Sequence, residues 1–446
     1  MKSPPSHTPY LAPLSSRVVP NVPAESRGLL EHPHGDGDDI APGHAEPWMN
    51  RTIVGAGVTS ALGDFCYETT TVILPGFLAV LGVPAFMLGV IEGVADAVAA
   101  FTKMASGYIA DRIGARKSLV LIGYGLTPLG QVLIALAAGW PLLLAGRLIS
   151  WFGKGLRGPL RDAIVIQAVS AKTRGRAFGF HRAADSVGAI AGPLLGVALL
   201  GWAQGMSWAN MASPFRLVLW VSTIPGVLAV VAFLLLVKDP EQSANPRLRF
   251  VSSMRSLPLK FKRYLWAVGI FGLGDFSHSL LILAATTLLS PSLGIVHAAQ
   301  MAGMLYVWRN VVQVIASYPI GILADRTGHV RVLVGGYGLG AVLGAFLAGA
   351  FLMRLHDLAL LTILFTVAGL YTAVQEAMES TVTAEMVSRD TLVINYGALG
   401  IVNGATKFVS SAMVGWLWTV ISPAASFALA AFLMAVGAMV LIRATR

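Results

Sequence analysis

The strongest constraint on the fold is an internal duplication. Leu62-Gly63-Asp64-Phe65 returns as Leu273-Gly274-Asp275-Phe276, and Gly107-x-x-Ala110-Asp111-Arg112-x-Gly114 returns as Gly321-x-x-Ala324-Asp325-Arg326-x-Gly328. Gly123-Tyr124-Gly125-Leu126 returns as Gly336-Tyr337-Gly338-Leu339, and Gly155-Leu156 with Asp162-Ala163 returns as Gly369-Leu370 with Glu376-Ala377. All four matches fall at offsets of 211 to 214 residues, so they share one register. The chain is expected to be two related halves.

Composition decides the solvent. Of 446 residues, 55% are hydrophobic and 12% charged, where a soluble domain carries about a quarter charged. About 20 apolar residues span a bilayer core as a helix. Twelve segments qualify, at 53–80, 86–108, 118–138, 142–167, 178–201, 214–237, 264–289, 298–320, 331–353, 358–383, 394–418 and 424–443. They are continuous and rich in Ala, Leu and Gly rather than alternating in polarity, which excludes a barrel. The fold class expected is an all-α integral membrane protein, with twelve transmembrane helices in two six-helix pseudo-symmetric halves. In an apolar chain, internal repeats are the signature of secondary transporters.

The net charge of +10 reads as topology rather than as a nucleic-acid surface. Lys and Arg follow the second, fourth and sixth segments, while the loops near 82–85, 139–141, 202–213 and 290–296 carry none. Both termini and the linker are thereby expected on the cytoplasmic side. The domains expected are a disordered cytoplasmic tail (1–50), an N-terminal half (51–237), a cytoplasmic linker (238–263) and a C-terminal half (264–446). The tail lacks the order of a signal peptide, and its His32, His34, Asp36, Asp38, Asp39 and His44 read first as solvated residues. The single cysteine, Cys66, excludes an intrachain disulfide.

Charges inside the segments carry the functional signal. Nine acids (Asp64, Glu68, Glu92, Asp96, Asp162, Asp185, Asp275, Glu376, Glu379) and eight bases (Lys103, Arg147, Lys154, Arg157, Arg161, Arg182, Arg309, Lys407) lie there. Each costs about 2.5–3.5 kcal/mol if left alone at the bilayer centre, so they must pair or face a watery cavity. Asp64 and Glu68, like Glu92 and Asp96, are four apart and share a helix face. Candidates for the coupling and substrate cavity are Asp64, Glu68, Asp96, Arg157, Asp185, Asp275, His278, Glu376 and Glu379. Arg157 lies deepest on a basic stripe with Arg147, Lys154 and Arg161, and an acid such as Glu376 is its expected partner. His278 is placed on the same face as Asp275, where imidazole beside carboxylate suits a proton relay or a cation ligand. His297, Met301 and Met304 form a possible soft-metal face, with packing the plainer reading. No metal site is assigned.

These motifs resemble the major facilitator superfamily over about 51–443. Gly107, Asp111, Arg112, Gly114, Arg116 and Lys117 are similar to its loop motif between the second and third helices, and Asp325 and Arg326 to a weaker second copy. Gly179, Gly188, Gly192-Pro193 and Gly196 follow the spacing of its antiporter motif, with Val197 in place of the final glycine. Arg147 fits the fourth-helix arginine motif, whose Gly153-Lys-Gly155 comes two residues late. Residues 153–163 and 177–185 resemble a widespread, poorly characterised bacterial branch. The resemblance implies a monomer of the bacterial inner membrane that exports a small molecule in exchange for protons, with the loop motif latching the cytoplasmic side closed. It implies neither enzymatic activity nor a cofactor, and no phosphate-binding loop points to ATP. Alternatives are a permease for a metal ion or metal chelate, and a non-transporting sensor or assembly factor.

Overall fold

The computed structural model describes residues 48–113, 116–170, 173–208, 210–238, 258–386 and 392–445. Every regular element among them is helical. The first six helices are α1 (Arg51–Val80), α2 (Ala85–Ile113), α3 (Arg116–Leu136), α4 (Trp140–Gln167), α5 (Arg174–Gln204) and α6 (Ser213–Leu236). Then follow α7 (Leu259–Gly272), α8 (His278–Leu293), α9 (Ile295–Thr327), α10 (His329–Leu352), α11 (Leu358–Met386), α12 (Leu392–Val420) and α13 (Pro423–Thr445). Seven of them are long and apolar enough by length and composition alone to cross a membrane. The protein is an all-α, multi-pass membrane fold. The expected tail, the linker from 239 to 257 and the side chains of 107–116 lie outside the described residues.

The segment expected as one span over 264–289 is two helices, because the chain leaves the helix after Gly272 and resumes at His278. Packing explains the break. A Cβ on Gly272 would stand against Thr406, and one on Gly274 would stand 2.4 Å from the Ala430 carbonyl, so the backbone lies directly on α12 and α13. Ser277 then caps α8 by accepting from the Ser279 amide at 3.3 Å. Gly328, from the second copy of the loop motif, separates α9 from α10 with φ of 101°, a region that L side chains avoid.

Small residues set the helix approaches. On α5, a Cβ at Gly188 would lie 2.3 Å from the Ala61 carbonyl of α1, and one at Gly192 would lie 2.8 Å from the Phe65 carbonyl. The Thr69 hydroxyl closes the same contact by donating to the Gly192 carbonyl at 2.9 Å. Gly179, by contrast, meets nothing within 4 Å among the described residues. Helices α1 and α3–α6 pack chiefly on one another, as do α7–α11 and α13. Contacts of α2 with α12 and of α5 with α9 join the two groups, and Gly89, Gly93 and Gly415 let α2 and α12 touch backbone to backbone.

Candidate functional site

Charged side chains in apolar helices need partners or water, and the fold gives them partners around a cavity of about 440 Å³. Asp64 and Glu68 reach it from α1, Asp96 from α2, Asp185 from α5, His278 from α8 and Glu376 from α11. Arg157, Asp275 and Glu379, nominated with them, do not line it. Lining residues beyond the nominated set include Glu92, Arg147, Lys154, Tyr306, Arg309 and Lys407. Glu92, Arg147, Lys154, Arg309 and Lys407 were visible in the sequence as intramembrane charges. Tyr67, Trp151 and Tyr306 carry no charge, and a sequence offers no signal that separates them from packing aromatics.

At the buried end of the cavity, Arg147 and Glu92 form a bidentate pair at 2.8 and 3.0 Å. The guanidinium also donates to Thr71 at 3.1 Å and lies 3.5 Å over the Trp151 ring. Trp151 in turn donates its indole N–H to Asp96 at 2.9 Å. Ser277, just before α8, donates to Glu92 from the other helix group at 3.4 Å. A second cross-link runs from the Tyr306 hydroxyl on α9 to Glu68 on α1 at 3.0 Å. Lys154 rests its ammonium 3.9 Å over the Tyr67 ring.

Arg157 does not reach Glu376. It is buried, donates to Thr127 at 2.7 Å, stacks 4.5 Å over Tyr124 and stands 3.7 Å from Asp64. Its position on α4 turns it toward α3 and α1 rather than across the cavity, and Glu376 instead accepts from Gln313 at 2.8 Å. Asp185 accepts from Ser60 and lies 3.8 Å from Arg161 and 3.6 Å from His181.

The break before α8 also separates Asp275 from His278, which an unbroken helix would put on one face. Asp275 is buried behind the cavity wall, accepting from Tyr371 at 2.5 Å and Gln375 at 3.1 Å. Glu379 is buried likewise, accepting from Tyr337 at 2.7 Å and Asn403 at 2.6 Å. His278 faces the cavity and shares a hydrogen bond of 3.1 Å with Arg309. The constellation suggested for a metal, Asp64, Glu68, Asp275 and His278, is therefore divided between the cavity and its backing. Among the described residues no group of three or more His, Cys, Asp or Glu is placed to hold a metal ion.

Of the loop motif, Lys117 is described and donates to the Leu234 carbonyl at 3.4 Å. In the second copy, Asp325 stands 3.3 Å from His329, whose other ring nitrogen lies 2.7 Å from Glu385 of α11.

Solved structures with the same fold include the nucleoside transporter NupG, at TM-score 0.70 and 15% identity over 89% of this chain and 99% of that one. A POT family transporter in complex with a thioalcohol-conjugated peptide matches at TM-score 0.72 and 11% identity, over 89% and 97%. An uncharacterised MFS-type transporter of Methanocaldococcus jannaschii is 27% identical over 399 residues, 88% of this chain and 95% of its own. An uncharacterised protein of Mycobacterium tuberculosis is 29% identical over 375 residues, 82% of this chain and 86% of its own. The profile of the Major Facilitator Superfamily matches residues 56–282, just over half of the chain, and the protein belongs to that superfamily, as a secondary transporter working through its alternating-access fold and not as an enzyme.

Proposed function

We propose that this transporter exports a small solute from the cytoplasm in exchange for protons, with Asp64 and Glu68 as the coupling carboxylates. The observation that carries the reading is the Glu68–Tyr306 hydrogen bond of 3.0 Å, which ties a cavity carboxylate on α1 to α9 of the other helix group. A carboxylate that accepts such a bond when ionised and weakens it when protonated makes the contact between the groups depend on its proton. Asp64, one turn away, shares the same wall. The energy is adequate, since one elementary charge crossing 100 mV is worth about 2.3 kcal/mol.

Exposure along the cavity supports an inward-facing state. Glu92 is 3% exposed, Asp96 half-buried and Lys103 exposed along α2, and on α11 buried Thr372 is followed by exposed Glu376. The cavity thus widens toward the end that carries the loop motif, which the charge distribution assigns to the cytoplasm. In this reading α7 and α8 together form one span, which gives twelve in two pseudo-symmetric halves, 51–237 and 264–446, joined by the 238–263 linker. Export follows the resemblance of the Gly179 to Gly196 stripe to an antiporter motif, and a monomer of a bacterial inner membrane follows the resemblance to the superfamily.

The test is a reconstituted vesicle with an imposed pH gradient. Asp64→Asn and Glu68→Gln are each expected to bind solute yet lose gradient-driven uptake. Full flux in both variants would remove these carboxylates from the coupling step.

A further inference from the structure

The acids and bases around the cavity are not equally provided for. Glu92 is gripped by Arg147, Asp64 faces Arg157 at 3.7 Å, and Glu68, Asp96 and Glu376 each accept from a neutral donor. The bases on the other side fare differently. Arg309 is 3% exposed, and all its hydrogen bonds go to neutral groups: Thr372 at 2.7 Å, Asn310 at 2.8 Å and His278 at 3.1 Å. Among the described residues its buried Nε has no hydrogen-bond partner. Among the described residues, no carboxylate comes within 4.0 Å of Arg309, Lys154 or Lys407.

Arg147 supplies the comparison. It is as deeply buried and takes both oxygens of Glu92, so there the fold brings its own anion. Arg309 is the same kind of group without one. A guanidinium cannot lose its charge, and a buried charge left unpaired costs several kcal/mol. His278 belongs to this region, hydrogen-bonded to Arg309 at 3.1 Å and lining the same cavity as Lys407 and Lys154. Arg309 has no lone pair to offer, so His278 Nε2 accepts from it and the ring proton sits on Nδ1, a further donor.

We propose that Arg309, His278 and Lys407, on α9, α8 and α12, form a binding site for a carboxylate or phosphate group, and that the carried solute is a small organic anion. Describing the anion as carried rests on the transport reading above. A planar fork of N–H donors matches two oxygens of either group, and Lys407 adds a point charge. The cavity volume of about 440 Å³ falls within the usual range of small-molecule sites.

The test uses the full-length protein in detergent micelles and five probes of similar shape: benzoate, phenylphosphonate, benzamide, benzyl alcohol and benzylamine. At millimolar concentration, benzoate or phenylphosphonate is expected to raise the unfolding temperature while the neutral and cationic probes do not. Arg309→Gln and Lys407→Gln should each weaken the anion's apparent affinity roughly tenfold, the usual scale for a charge-assisted hydrogen bond. Arg309→Lys, which keeps the charge and loses the fork, should recover part of it, and it serves if Arg309→Gln does not fold. Equal stabilisation by benzamide, stabilisation by benzylamine alone, no shift with any probe, or unchanged anion affinity in Lys407→Gln and Arg309→Lys would overturn the site. Flux of labelled probes into vesicles separates the two claims. Arg309-dependent benzoate binding without flux keeps the site and removes transport of the anion, whereas flux of benzylamine with no Arg309-dependent benzoate binding keeps transport and removes the site.

Discussion

Arg147 and Glu92 meet through two hydrogen bonds, Nε to Oε1 at 2.8 Å and Nη2 to Oε2 at 3.0 Å, with the guanidinium wholly buried. The pair joins α4 to α2, and Ser277 attaches to the same carboxylate from the chain just ahead of α8. Removing one member of such a pair strands the other charge, at a cost of about 3–5 kcal/mol. Arg147→Ala should lower the unfolding temperature in micelles sharply, and Arg147→Met combined with Glu92→Gln should restore most of it. A double variant as unstable as the single one would show that the pair is not the unit being broken.

The α1–α5 contact predicts a graded response to added methyl groups. Gly188→Ala would place a carbon 2.3 Å from a carbonyl oxygen and Gly192→Ala one 2.8 Å from another, so the helices must part. Overpacking of this kind costs about 1–3 kcal/mol. Gly179→Ala meets open space and should be neutral or stabilising by about 0.5–1 kcal/mol, because alanine favours a helix interior. Thermal unfolding and vesicle flux of the three variants check the order, and equal loss at Gly179 would contradict it.

Tyr306→Phe deletes the bond between α9 and Glu68 and leaves the ring in place. A hydrogen bond to a charged group is worth about 1.5–3 kcal/mol, so opening of the α1–α9 contact should become roughly tenfold more frequent or greater. Ala299 sits in that contact, where a Cβ on Gly76 would stand 2.6 Å from it. A cysteine at Ala299 should therefore react faster with maleimide in the Tyr306→Phe background. Equal rates would mean that apolar packing alone holds the contact.

Asp111→Asn addresses the loop motif. If the motif latches the cytoplasmic end, its loss shifts the population toward inward-facing by no more than the energy of that contact. Cysteines on the cytoplasmic side should become more reactive and periplasmic ones less so. An unchanged labelling pattern with transport lost would assign the motif another role.

The membrane fold was legible because it depends on periodicity and apolar length, which neighbours do not alter. Asp64, Glu68, Asp96, Asp185, His278 and Glu376 stood out in the sequence as polar groups in apolar helices, and the fold lines a cavity with them. The partners were not. Arg157 pairs with Asp64 rather than Glu376 because rotation about α4 decides the matter, and spacing along one helix cannot give its angle to another. The separation of Asp275 from His278 depended on a helix break made by contacts with Thr406 and Ala430, more than a hundred residues away in sequence.

That break gives the transporter a lever. Leu273 to Ser277 form a short non-helical joint, pinned to α12 where the Ser277 amide donates to Ser411 at 3.0 Å. Beyond the pin, α8 begins at once with His278, while Asp275 sits three residues before His278, among Tyr371 and Gln375. A tilt of α8 about this joint would move His278 at the cavity wall and Asp275 behind it together, since only five residues join α8 to α7.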